Sequence, residues 1–129
     1  RGQIAGMVQL FFNSIDSSPL YWHFIVTERY GGNMAVQAAL TEQIGLFGNI
    51  LTEDLRLQPA FSHLPISVLQ LIADMGVNVF FSWVQPWLSL DKEDTASKQA
   101  LIDKSTKQAQ ILFYGVSHWR PKSEELGED

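Results

Sequence analysis

The chain has an apolar residue at every third or fourth position over most of its length. Ile4, Val8, Phe11 and Ile15 are separated by four, three and four residues, which places them on one face of a helix. A second stripe with the same spacing is formed by Val36, Leu40, Ile44, Phe47, Leu51 and Leu55. No segment alternates apolar and polar residues in the way that a half-buried strand does. The pattern therefore predicts an all-α protein.

Helix-starting and helix-ending residues divide this pattern into five predicted helices. Ser18 followed by Pro19 opens the second helix, because proline is favoured at the first helical position. The glycine pair at 31–32 ends that helix near Tyr30, since glycine tolerates the backbone conformation just past a helix end. Asn33 then caps the third helix through its side-chain oxygen. We therefore expect a stop, a turn and a new start within this short stretch.

The fourth predicted helix follows a loop over residues 57–64 and ends near Trp87. Two starting points fit the pattern. The helix begins either at Pro65 or at a capping box formed by Ser67 and Gln70.

The fifth helix is predicted from about Glu93 to Trp119, and its sequence changes along the way from polar to apolar. Pro121 stops it, because proline lacks the backbone N–H that a helix interior needs. The acidic end, residues 121–129, is expected to be disordered. Residues 1–120 are thus predicted to form one domain, a five-helix bundle.

Charge and composition exclude several classes of protein. Nine basic and fourteen acidic residues give a formal net charge of −5 at pH 7. An acidic surface repels phosphate, so the chain itself is not expected to hold nucleic acid. The absence of cysteine excludes disulfides, thiolate metal sites and cysteine nucleophiles. The longest apolar run, residues 20–26, is too short to span a bilayer, and no signal peptide is visible, so no membrane partner is expected.

Catalytic and metal-binding patterns are also missing from the sequence. His23, His63 and His118 are scattered, without the spacing of a helical metal site. The sequence contains no nucleophile elbow, phosphate-binding loop or paired-carboxylate motif. His23 in the run YWHFIV is more typical of a core or pocket histidine than of a general base. We therefore expect no enzyme activity, no catalytic residue, no cofactor and no metal.

The fourth predicted helix, residues 66–87, is apolar around most of its circumference. Such a helix must be covered on more than one side, either by the core of its own chain or by a second subunit. Its polar residues Gln70, Asp74, Asn78 and Ser82 recur every four positions and form a single line. That line is interpreted either as a narrow solvent-facing strip or as a dimer seam or the polar mouth of a pocket.

Aromatic residues come from each of the four apolar helices, and most of them are expected in the core. Pockets between the helices of a bundle are lined by such residues and suit long apolar ligands. Gly45 and Gly48 lie inside the third helix, where glycine is unfavourable. They indicate either the close approach of a neighbouring element or the wall of a cavity.

Three stretches carry a resemblance to a known family: FFNSIDSSPLYWHFIVTERYGGN, AVQAALTEQIGLFGNILTEDL and AQILFYGVSHWRPKSE. The sequence resembles the C-terminal, effector-binding and dimerisation domain of TetR-type transcriptional regulators. Within that class it is similar to the FabR-like branch, which represses genes of unsaturated fatty-acid synthesis. In that branch one helix ends in an Arg-Glu-Arg-Ser-Gly run, which Glu28, Arg29 and Gly31 match. Thr27 and Tyr30 depart from it.

The resemblance implies that the helix-turn-helix domain is missing from this chain. The chain begins at Arg1, and a helical pattern is already in progress at Ile4, as expected if a natural N-terminal part is absent. TetR-type proteins carry their DNA contacts in a small N-terminal domain. DNA is therefore expected as a partner only through that domain, in the cytoplasm of a bacterium.

Two sets of site residues are expected, the first from the aromatic residues that converge from several helices and the second from the apolar surface of residues 66–87. The expected ligand contacts, between the first four helices, are Phe12, Trp22, His23, Val26, Arg29, Phe47 and Phe80. The expected homodimer interface, on the fourth and fifth helices, is formed by Val79, Trp83, Ala109, Leu112 and Val116. Two roles are open for Arg29, which either stabilises a helix C-terminus through its charge or reaches the phosphate or thioester of a ligand.

The function implied by this resemblance is that of a ligand-sensing and dimerisation domain of a TetR-type repressor. Its expected effector is a long-chain acyl thioester, either acyl-CoA or acyl carrier protein. One alternative is a TetR-type sensor of another hydrophobic small molecule. Another is a free-standing helical domain that binds lipids or interacts with other proteins.

Overall fold

The computed structural model describes residues 2–120, which form six α-helices and one short 3-10 helix and contain no strand. The α-helices are α1 (Gly2–Ser17), α2 (Pro19–Glu28), α3 (Met34–Arg56), α4 (Ile66–Phe81), α5 (Val84–Leu88) and α6 (Thr95–Ser117), and the 3-10 helix is Pro59–Phe61. The predicted all-α bundle is confirmed. The acidic end, residues 121–129, for which we expect disorder, lies outside the described residues.

The fourth predicted helix is present as two helices, α4 and α5, which are separated at Ser82 and Trp83. Pro86 explains the break. Its ring would clash with the carbonyl group four residues earlier, at Ser82, and it has no N–H to donate there. The Ser82 amide is shared between the carbonyls of Asn78 and Val79, and the Trp83 amide bonds to that of Phe80 three residues back, at 3.1 Å each.

The first turns of α3 and α6 are each capped by a side chain. The Asn33 Oδ1 atom accepts a hydrogen bond of 3.0 Å from the amide of Val36, which confirms Asn33 as the cap of α3. The Asp94 carboxylate does the same for the amide of Ser97, also at 3.0 Å, and begins α6. That hydrogen bond lowers the pKa of Asp94 below its ordinary value of 3.8.

The glycine pair ends α2 in a different way from the one expected. No glycine among residues 2–120 has a positive φ, so left-handed backbone is not what the turn requires. Instead α2 ends at Glu28, and the Gly31 amide donates to the Glu28 carbonyl at 3.1 Å. A Cβ atom on Gly31 would lie 3.0 Å from the Glu28 carboxylate. That contact is with the end of a flexible side chain, which can move, so the space at Gly31 does not by itself require glycine.

The main core is formed by aromatic and branched side chains from α1, α4, α5 and α6. Phe12 is fully buried, and its ring centroid lies 4.4 Å from that of Trp87 and 5.9 Å from that of Trp83. The indole N–H of Trp83 donates to Gln108, and that of Trp87 donates to Asp16. The two buried indoles therefore have hydrogen-bond partners, as large aromatic side chains with a polar atom require.

A second, smaller core joins α2 to α4 and consists of Ile25, Val77 and Phe81. α3 packs along α4, and the contact is closest at Gly76. A Cβ atom on Gly76 would lie 3.4 Å from a methyl group of Leu51 and 3.5 Å from the ring of Phe113. This packing positions α3 between two clefts, one on each side.

By length and composition alone, the segment Ile66–Leu88 is long and apolar enough to cross a membrane. Its mean hydropathy is 1.4. A helix in the core of a bundle meets the same two measures, and 39% of this segment is buried inside the chain. Ile72, Val77 and Phe80 are among its core residues. These core residues account for part of the apolar composition of the segment.

Candidate ligand clefts

One cleft, which we call the apolar cleft, lies between the start of α1, the end of α3, the 3-10 helix and the end of α6. Its volume is about 470 Å³. The cleft is lined by Gln3, Ile4, Met7, Leu51, Asp54, Leu55, Leu57, Gln58, Ala60, Phe61, Phe113, Tyr114 and Ser117.

The depth of the apolar cleft is made by core side chains, and its rim is polar. Leu55, Phe61 and Phe113 are buried, and the two phenyl rings meet edge to face at 6.4 Å. Gln3, Asp54 and Gln58 are exposed. This arrangement, an apolar interior with a few polar groups at the opening, is the common form of a small-molecule site.

A second cleft, which we call the polar cleft, lies on the other side of α3, against the end of α2 and the middle of α4. Its volume is about 480 Å³. It is lined by Arg29, Tyr30, Thr41, Ile44, Gly45, Gly48, Asn49, Thr52, Gln70, Ala73, Asp74, Val77 and Asn78. Eight of these thirteen residues carry a hydrogen-bonding or charged side-chain group, against five of thirteen in the apolar cleft.

The Arg29 side chain makes three contacts at the polar cleft. Its Nη2 atom donates a hydrogen bond of 2.6 Å to Oδ1 of Asn78. Its guanidinium carbon lies 4.9 Å from the ring centroid of Phe81 and 5.3 Å from that of Tyr30. Arg29 is also the C-cap residue of α2. Arg29 therefore lies both at the end of α2 and at the edge of the polar cleft.

Only Arg29 among the seven expected ligand contacts lines either of these clefts. Phe12 and Phe80 are buried in the main core, where their rings pack against Trp83. His23 is exposed on α2. The remaining three are Trp22 and Val26, which are half-buried against the core, and Phe47, which is exposed.

The glycines inside α3 lie along the polar cleft. A Cβ atom on Gly45 or Gly48 would meet no atom within 4 Å. Of the two explanations considered for them, the cleft wall is the one that matches, because no neighbouring element approaches closely at either position. Gln70, Asp74 and Asn78 from the polar line of α4 line the same cleft.

The apolar cleft was not predicted from the sequence, although several of its residues were recognised as apolar. Phe61 belongs to the segment 57–64, which we expected to be a loop, and its 3-10 turn brings the ring into the core. Pro59 at the start of that turn is the signal that could have revealed it, since proline favours the first position of a helical turn.

The expected dimer residues fall into two groups. Trp83 and Ala109 are buried within a single chain, so their side chains are already covered. Val79, Leu112 and Val116 are half-buried beside the main core. Val79 shares one face of α4 with Met75 and Leu71, which lie four and eight positions earlier. These two side chains are 51% and 65% exposed, and we call them the exposed stripe of α4.

Residues 2–120 contain no group of three or more histidine and carboxylate side chains that could hold a metal ion. His63 lies against Arg120, with 2.9 Å between its Nε2 atom and a guanidinium nitrogen. No family model and no curated protein matches the sequence. The two clefts and the exposed stripe on α4 are thus the features from which a function can be argued.

Proposed function

We propose that this chain is the effector-sensing and dimerisation domain of a TetR-type transcriptional repressor. The observation that carries the proposal is the apolar cleft between α1, α3, the 3-10 helix and α6. Its volume of about 470 Å³ is in the range of small-molecule sites, which is roughly 300–1,000 Å³.

The ligand proposed for this cleft is a long-chain acyl thioester. An acyl chain would contact Met7, Leu51, Leu55, Phe61 and Phe113, and each buried methylene group contributes about 0.8 kcal/mol to binding. The polar part of the thioester would remain at the rim, where side-chain amides can bond to it. A purely apolar ligand would leave those rim groups unused.

Binding in the apolar cleft would be coupled to dimerisation through α6. Phe113 and Tyr114 line the cleft, while Leu112 and Val116 lie beside them on the same helix, in the proposed dimer interface. A ligand shifts a conformational equilibrium only if it binds the two arrangements unequally. A change in the position of α6 on ligand binding would supply that difference.

The dimer in this proposal pairs the exposed stripe of α4 and the adjoining part of α6 with the same surfaces of a second copy. Leu71 and Met75 are large apolar side chains that their own chain leaves uncovered. A twofold interface of this kind would cover both at once. DNA would be contacted outside residues 1–129, in the bacterial cytoplasm, because the acidic charge of this chain disfavours phosphate binding.

The test is a thermal-shift titration with oleoyl-CoA and with CoA alone. We expect oleoyl-CoA to raise the melting temperature and CoA to leave it unchanged, because only a ligand that binds the folded state stabilises it. Ala60→Trp would fill the apolar cleft and should abolish the shift. Ala39→Trp is the matched control, since Ala39 is an exposed α3 residue that lines neither cleft.

An equal shift in wild-type protein and in Ala60→Trp would contradict binding in the apolar cleft. A shift with unrelated apolar compounds but not with oleoyl-CoA would favour a sensor of another hydrophobic effector. Binding of oleoyl-CoA by a full-length protein that shows no affinity for duplex DNA would favour a lipid-binding or interaction domain without a role in transcription.

A further inference from the structure

The polar cleft contains charges of both signs that do not pair with each other. Arg29 and Asp74 both line it, yet the ion pair between Arg56 and Glu53 is the only one within 4.0 Å among residues 2–120. Opposite charges in a common cleft ordinarily gain by forming a hydrogen-bonded pair. Here both remain open to a third group.

Arg29 is held in place without a carboxylate. Asn78 accepts a single one of its five N–H donors, and the rings of Phe81 and Tyr30 lie close to the guanidinium group. These contacts restrict the side chain, while the other donors have no protein acceptor in the described part of the chain. A restricted guanidinium with free donors is a ready site for a carboxylate, which it can bind through two parallel hydrogen bonds.

Asp74 is the negatively charged residue of the polar cleft, and it lies on the same helix as Asn78. It precedes Asn78 by four residues of α4, about 6 Å along the helix axis, and the Asn78 side-chain amide donates to its backbone carbonyl at 3.0 Å. Its carboxylate has no hydrogen bond or ion pair with any residue in 2–120. Asn78 is therefore hydrogen-bonded to both residues, to the guanidinium group of Arg29 and to the backbone of Asp74, while the two charges themselves form no ion pair.

This pair of charges selects against ligands that carry a single charge. An anion attracted by Arg29 would be repelled by Asp74, and by the net charge of −5 on the whole chain. A cation attracted by Asp74 would be repelled by Arg29. A molecule with both charges a few ångströms apart satisfies both side chains, and such repulsion of the wrong partners is a source of specificity.

We propose that the polar cleft binds a small zwitterionic molecule of the α-amino acid class, with its carboxylate on Arg29 and its ammonium group on Asp74. Thr41, Asn49 and Gln70 supply neutral polar groups for the remainder of the ligand. The site is separate from the apolar cleft and does not depend on the function proposed above.

The experiment is an NMR titration of the whole chain with mixtures of the common L-amino acids at millimolar concentration. The amides of Gly45 and Gly48 line the cleft and serve as reporters. We expect at least one amino acid to shift both signals, and its N-acetyl derivative to bind at least about tenfold more weakly, because acetylation removes the ammonium group.

Asp74→Asn gives the sharpest readout, since it removes one charge from an exposed position with almost no change in shape. It should weaken binding of the free amino acid and strengthen binding of the N-acetyl form, which no longer meets a repelling carboxylate. Asp103→Asn, at an exposed position on α6 that lines neither cleft, is the matched control and should change neither affinity.

Arg29→Gln should remove binding of both forms, and circular dichroism would show that the variant is folded. The proposal would be overturned if no amino acid shifted the two glycine signals. It would also be overturned if Asp74→Asn left the relative affinities for the free and acetylated forms unchanged. Neither result depends on acyl thioester binding, so failure here leaves the apolar cleft untouched.

Discussion

At the scale of single residues, the hydroxyl group of Ser105 is the least favourable feature of the core. Ser105 is fully buried on α6, and its Oγ atom has no hydrogen-bond partner in the part of the chain that the structure describes. A buried hydroxyl without a partner loses its hydrogen bonds to water and gains none in return. It therefore lowers the free energy of unfolding.

We expect Ser105→Ala to raise the free energy of unfolding by about 1 kcal/mol, since it removes the unpaired hydroxyl and introduces a better helix former. Denaturant unfolding followed by circular dichroism measures the change. Ser14→Ala is the matched control, because the Ser14 hydroxyl already donates to the Phe11 carbonyl at 2.6 Å. A destabilising Ser105→Ala would show that the hydroxyl has a hydrogen-bond partner in the folded protein.

At the scale of secondary-structure elements, α6 begins at a charged cap whose effect depends on pH. The amide of Ser97 donates to the Asp94 carboxylate and holds its pKa below 3.8. The ionised form is thus favoured in the folded state. The stabilisation is present above the unfolded-state pKa and is lost as the pH falls through the lower folded-state pKa.

We expect Asp94→Ala to lower the melting temperature at neutral pH, because the Ser97 amide loses its acceptor. Asp94→Asn keeps an acceptor without the charge, and it should retain much of the stability. The difference between Asp94 and the asparagine variant should shrink as the pH falls below 3.8. Thermal melts across this range would show it, and a difference that grew with acidity would reverse the assigned sign.

The packing of α3 against α4 depends on the small size of residue 76. The space at Gly76 admits one methyl group at ordinary contact distance from Leu51 and Phe113, and no larger side chain. We expect Gly76→Ala to stabilise the protein by up to about 1 kcal/mol, the difference in helix propensity. Gly76→Val should destabilise it, since its additional methyl groups would force the two helices apart.

Denaturant unfolding of the two Gly76 variants tests this packing. Gly6→Ala is the control, because Gly6 lies inside α1 with no atom within 4 Å of a Cβ atom there. A stabilising Gly76→Val would mean that α3 can move away from α4 at little cost. In that case the two clefts, which lie on opposite sides of α3, would change shape together.

At the scale of the whole molecule, the exposed stripe of α4 determines whether the chain pairs with itself. We expect a dimer at micromolar concentration in light scattering, and a monomer for the double variant Leu71→Lys, Met75→Lys. Both side chains are exposed in the single chain, so the substitutions should leave the fold intact. Within a dimer interface the added charges would be buried without partners, which is strongly unfavourable.

Leu10→Lys is the control for the dimer prediction, because Leu10 is 70% exposed on α1, away from the α4 stripe. It should remain dimeric. A wild-type protein that stayed monomeric throughout the concentration range would remove dimerisation from the proposed function. It would leave the amino acid site in the polar cleft unaffected, since that site is formed within one chain.

Local chemistry was enough to predict the helices of this protein. The apolar spacing of α1 and α3, the proline at the start of α2 and the cap at Asn33 each act through residues within one or two turns. Their hydrogen bonds and steric limits are the same in any surroundings, so they can be read from neighbouring residues. Pro86 causes the break between α4 and α5 through a steric effect that is also local, although we expected a continuous helix there.

The clefts, by contrast, were decided only by the tertiary structure. Met7, Leu55, Phe61 and Phe113 come from four elements, of which α1, α3 and α6 are distant in sequence, and they line the apolar cleft together. Phe12 and Phe80 have the same apolar and aromatic character, yet they line neither cleft. Burial depends on which helices meet and at what distance, and no local property of a phenylalanine encodes that. The sequence by itself determined where the helices lie, and packing decided which of their side chains remain open to a ligand.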